Sequence, residues 1–124
     1  MSLFSDDDKK NMVMELINEK QLNSNDIIDV IAEQVYNAKQ SDNNTVVETA
    51  KKLEKRFGSK YQQENITLNY NKKADDFGGY FMHILLKVIS LEGREGIASC
   101  LLALEYAFDL KHKQEKNEMT SNEN

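Results

Sequence analysis

Not one of the 124 residues is proline, and only five are glycine. Proline lacks the amide proton of the helical ladder and clashes with the turn before it, and glycine is the next costliest residue in a helix interior. A chain this free of breakers meets few obstacles to long helices. Its apolar residues recur at helical spacing over most of its length, so an all-α fold is expected.

Five helices can be placed. Ser5 followed by Asp8 has the spacing of a capping box, and the first helix runs from there to about Lys20, with Val13, Leu16 and Ile17 inward and Met12 and Met14 at the margins. Asn23, Ser24, Asn25 and Asp26 make a turn that caps a second helix, whose apolar positions are Ile27, Ile28, Ile31, Val35 and Ala38 and which ends near Gln40. After a polar loop over residues 41–44, Val46, Val47, Ala50, Leu53 and Phe57 define a third helix that Gly58 stops.

Residues 59–71 break the pattern: Ile66, Leu68 and Tyr70 alternate with Thr67 and Asn69, which is strand period. A lone strand has no partner in such a chain, so the segment is expected as an extended loop across the bundle. The fourth helix, from about Ala74 to Leu91, carries a main stripe at Phe77, Phe81, Ile84, Val88 and Leu91 and a second at Met82, Leu86 and Ile89. Only a strip near Gly79, His83, Lys87 and Ser90 is polar. The segment 92–96 breaks this helix, and a fifth follows with Ile97, Leu101, Leu104 and Phe108 on one side and Leu102, Tyr106 and Leu110 on the other.

A helix that is apolar nearly all round must be covered nearly all round. The fourth and fifth helices are therefore expected to form a C-terminal helical hairpin at the core of a single-domain bundle of about five helices, with the one-sided helices packed around it. Alternatively, one of their faces is covered by a second copy or another protein. Residues 1–112 form the domain in this reading, and the polar stretch 113–124 is a disordered tail.

Other classes are excluded by what the chain lacks. The longest apolar-rich stretch, residues 97–110, contains Glu105 and Asp109 and falls short of the roughly 20 apolar residues a bilayer needs, so no membrane is expected. Residues 1–10 carry three aspartates and no apolar run, unlike a secretory leader. The single cysteine, Cys100, has no partner for an internal disulfide, and with no sign of export the cytoplasm is the expected location. Cys100 sits among Ile97, Leu101 and Leu104, where burial raises a thiol's pKa and makes it inert.

No catalytic constellation is visible, and an enzyme is not expected. His83, Asp75 and Asp76 are too spread along one helix to converge fully, and a metal would need carboxylates from elsewhere, such as Glu105 or Asp109. Neither a metal nor another cofactor is expected. Gly78 and Gly79 lack the preceding strand and the glycine-lysine spacing of a phosphate loop.

Charge is unevenly spread: residues 1–44, 45–73 and 74–124 carry nets of −5, +4 and −4. Lys51, Lys52, Lys55 and Arg56 on the third helix, with Lys60 beyond it, form a candidate patch for nucleic acid or an acidic partner. The plainer alternative is a solvated face, since Glu48 and Glu54 stand at pairing distance along the helix. Sequence-independent nucleic-acid binding is thus the second reading. The first is a non-enzymatic helical interaction protein, an adaptor, inhibitor, regulator or small subunit, whose partner is another protein. A homodimer is slightly favoured, with Met82, Leu86, Leu102 and Tyr106 as the candidate self-association surface.

Overall fold

A computed structural model describes residues 4–60 and 70–122 of the chain, with side chains through residue 118. Five helices follow one another: α1 (Asp6–Glu19), α2 (Ser24–Ala38), α3 (Asn44–Phe57), α4 (Lys72–Glu92) and α5 (Gly96–Asn122). The all-α bundle is as the apolar spacing predicts. Of the segment expected as an extended loop, residues 61–69 lie outside the described residues.

Local chemistry sets the helix starts. Ser5 accepts from the Asp8 N–H at 3.1 Å while the Asp8 carboxylate accepts from the Ser5 N–H at 3.0 Å, closing the expected capping box. Asn23 and Asp26 form a second box at the head of α2. Asn43 and Asn71 cap α3 and α4, and Gly58 and Gly93 end them at φ 82° and 81°, a conformation that costs glycine nothing. Helix α2 stops at Ala38, two residues before the expected Gln40, and α4 begins at Lys72 rather than Ala74 because Asn71 supplies the cap.

Asn71 does more than cap. Its side-chain oxygen accepts from the Ala74 N–H, and its amide nitrogen donates to Asp26 and Asp29 at 2.8 Å each, tying the start of α4 to the first turns of α2. This explains why Asp26 tolerates burial.

Helices α4 and α5 make the expected hairpin, and α5 is its inner arm: it packs on all four other helices, whereas α4 lies against α1, α2 and α5. Cys100, Leu101, Ala103, Leu104, Ala107 and Phe108 of α5 are buried, facing Val13 and Ile17 of α1, Ile27, Ile31 and Val35 of α2, and Val46, Ala50 and Leu53 of α3. Gly96 lets the two arms close, since a methyl group there would run into Val88.

The main stripe of α4 needs correction by one position. Phe77, Phe81 and Val88 are buried, but Leu85 joins them in place of Ile84, which is only partly covered, and Leu91 is 40% exposed. Helix α5 continues beyond the core to Asn122. Phe108 is the last buried side chain of α5 among the described residues; beyond it, the Glu115 carboxylate accepts from the backbone N–H and hydroxyl of Ser24 at the start of α2. A carboxylate there meets the positive end of the α2 dipole.

Candidate functional site

Two of the five basic residues of α3 and its flank, Arg56 and Lys60, are paired with carboxylates. Arg56 donates to Glu105 at 2.9 Å and to Asp109 at 2.5 Å on α5, while its guanidinium lies over the Phe57 ring. Hydrogen bonds that it donates to Asp109 and then Glu105 hold the Arg56 guanidinium to its proton more firmly still. Glu105 and Asp109, the carboxylates considered for a metal, are thus occupied by an arginine. Lys60 pairs with Glu33 of α2 at 3.6 Å, and burial pushes the Glu33 carboxyl up despite that lysine. Lys51, Lys52 and Lys55 remain exposed with no ion pair among the described residues, and Glu54 pairs with Lys39 rather than with them. The uncommitted charge is therefore three lysines with Glu48 on the same face, a weaker phosphate surface than five cations.

Cys100 is wholly buried, and desolvation pushes its thiol up to about 11, with Lys9 partly offsetting. At pH 8 roughly one molecule in a thousand then carries the thiolate, so a thiol reagent should label the native protein far more slowly than the unfolded chain. Fast native labelling would place the sulfur at the surface. The folded thiol holds its proton more tightly than the unfolded one, so its contribution to stability is complete below pH 9 and drains away as pH climbs to about 11. Cys100→Ala should remove that part of the alkaline slope.

The four residues expected for self-association are all exposed, at 42% for Met82, 56% for Leu86, 40% for Leu102 and 43% for Tyr106, but they lie on two faces. Leu102 and Tyr106 sit on α5 between α1, whose Lys10 lies over the Tyr106 ring at 4.7 Å, and α3, whose Arg56 reaches Glu105 and Asp109. Helix α4 packs on the other side of α5. At about 100° per residue, its outward ridge is Gly79, His83, Leu86 and Ser90, pointing away from the buried Phe77, Phe81, Leu85 and Val88, with Met82 beside Leu86.

On its other edge, α4 faces α1 across a shallow groove. Met12, Leu16 and Ile84 form its floor, Tyr80 and His83 one wall, and Glu15, Glu19 and Lys87 the rim. The groove continues past Gly79 to Asp75, Asp76 and Lys20, whose ammonium sits 4.0 Å from the centre of the Tyr80 ring. Asp75, Asp76 and His83 are brought to one groove, yet among the described residues no three His, Cys, Asp or Glu side chains stand close enough to hold a metal. Among the described residues, four of the eight exposed large apolar side chains, Tyr80, Met82, Leu86 and Leu91, belong to α4.

Sequence reading overlooked Tyr80 and the groove floor. Met12 and Leu16 recur at helical spacing, but nothing in their pattern says which helix stands opposite. It also missed Lys9, whose register with Val13 and Ile17 was the available signal: its side chain is 3% exposed and its ammonium binds Glu92 and Ser99. None of the helices among the described residues is long and apolar enough to cross a membrane. Set against known protein families, curated proteins and solved structures, the chain matches none.

Proposed function

We propose that this protein works without catalysis, as a cytoplasmic helical adaptor, inhibitor, regulator or small subunit that presents the outward face of α4 to another protein. The observation that carries the reading is the exposure of Tyr80, Met82, Leu86 and Leu91 on one helix, flanked by a groove with an apolar floor and a charged rim. Apolar side chains scattered singly over a surface mean little, but Met82 and Leu86 stand together on the outward side of α4 while Tyr80 and Leu91 stand on the edge toward α1, where apolar surface meets a charged rim as on a recognition face.

Helix-in-groove and helix-on-helix contacts both use such a surface, reading a partner through apolar anchors and fixing its direction through rim charges. The face has a rigid base, because Phe77, Phe81 and Val88 on the reverse of α4 are fully buried. Preorganisation of this kind lowers the ordering cost of association.

The test is affinity capture from the native cells with the wild-type chain and with Met82→Asp/Leu86→Asp. Both positions are solvent-facing, so the variant should keep the helical content and melting temperature of the wild type to within a few degrees. The expected result is a protein held by the wild type and absent from the variant. Identical captured sets, or no specific protein on either, would count against the reading.

A further inference from the structure

Gly79 lies in the interior of α4 and is exposed, and no atom comes within 4 Å of where its side chain would begin. Its φ is helical, so neither crowding nor backbone conformation inside the chain requires glycine there. Glycine nonetheless weakens a helix at such a position. What a bare glycine offers is a gap in an otherwise continuous ridge, into which a neighbouring helix can insert a side chain.

Resting on the α4 reading above, we infer that the occupant of this face is a second copy of the same chain, with the two α4 helices antiparallel about a two-fold axis between Met82 and His83. In that register Leu86 of each copy stands opposite Gly79 of the other, knob against gap, twice by symmetry. Ser90 and His83 share the ridge with them, spaced four, three and four residues apart, the spacing of a helix–helix seam.

Charge selects the same arrangement. Asp76 and Lys87 lie on the same edge of α4, the edge toward α1, at the two ends of the ridge. An antiparallel two-fold keeps them on one side and brings Asp76 of one copy within two residues of level with Lys87 of the other, about 3 Å of helical rise. A parallel two-fold would instead put Asp76 of one copy and Lys87 of the other on opposite edges of the seam and set Leu86 level with Leu86, leaving both glycine gaps empty. One helix thus carries both members of each complementary pair, as an isologous interface requires. Among the described residues of the isolated chain, Asp76 pairs with the exposed Lys72 one turn away and Lys87 lies 5.5 Å from the Phe4 ring, contacts that water readily replaces.

The experiment is sedimentation equilibrium of the full chain up to millimolar concentration. The wild type should dimerise. Gly79→Gln fills the gap with a good helix former, so it should weaken the dimer at least tenfold while the monomer, measured in dilute solution, melts at a higher temperature. An ordinary surface glycine would give the second effect without the first. Lys87→Asp should weaken the dimer, and adding Asp76→Lys to the same chain should restore it. A wild type that stays monomeric at millimolar concentration, or a dimer indifferent to both Gly79→Gln and the charge swap, overturns the inference. If the wild type is monomeric but still captures a cellular protein through Met82 and Leu86, only the second copy is wrong; if capture fails as well, the α4 reading falls with it.

Discussion

Lys9→Ala should lower the stability of the fold by about 3–5 kcal/mol, a large share of the roughly 5–15 kcal/mol that holds a domain of this size together. The Lys9 ammonium is 3% exposed and lies 3.1 and 2.9 Å from the two oxygens of Glu92, with the Ser99 hydroxyl at 2.7 Å. It joins the start of α1 to the end of α4 and the start of α5, three places far apart in sequence. Truncating it leaves the Glu92 carboxylate, itself 15% exposed, beside Cys100 and the core with its cation gone.

The cost comes from leaving a part-buried carboxylate without its lysine more than from the loss of an attraction, because desolvation offsets much of what a buried pair gains. Lys9→Met combined with Glu92→Leu should recover most of the stability, since no charge is then left buried. Urea titrations at pH 7 check this, and a deficit below about 1 kcal/mol for Lys9→Ala would mean that water reaches Glu92 freely.

Phe77→Ala should cost a similar 3–5 kcal/mol, for a different reason. Phe77 is fully buried and stacks on Phe81 with ring centroids 6.2 Å apart, so the pair forms the ridge by which α4 grips α2 and α5. Removing the ring loses its transfer free energy and leaves a cavity that a stacked neighbour only partly fills. Phe77→Leu keeps most of the volume and should cost less, about 1–2 kcal/mol.

The readout is the midpoint of a denaturant titration with its slope unchanged. A loss below about 1 kcal/mol for the alanine variant would show that α4 is held by something other than its buried ridge. Comparison with Leu86 separates structure from recognition: Phe77→Ala should unsettle α4 and weaken any association through it, whereas Leu86→Asp should weaken association with little change in stability.

The path from sequence to these residues was uneven. The capping box at Ser5, the capping turn at residues 23–26, the stop at Gly58 and the stripes of α1, α2 and α3 were readable because each depends on residues close in sequence, where the helix itself supplies the geometry. The inert surroundings of Cys100 were readable for the same reason. Lys9 was harder, since its register with Val13 and Ile17 places it on the buried side while its chemistry argues for the surface. Only Glu92 and Ser99, more than eighty residues away, reconcile the two.

By itself, the sequence determined the helical class, the five segments and the fact that α4 carries more apolar surface than one side of a helix can hide. It did not determine which side would be hidden. Leu85 and Leu86 are adjacent and chemically identical, yet one is 6% exposed and the other 56%. The same holds for Arg56, which reads as part of a basic patch until α5 brings Glu105 and Asp109 beside it. Helix formation is a local matter of hydrogen bonds and caps, whereas burial and charge pairing depend on which distant helix stands opposite, and only the packed bundle supplies that neighbour.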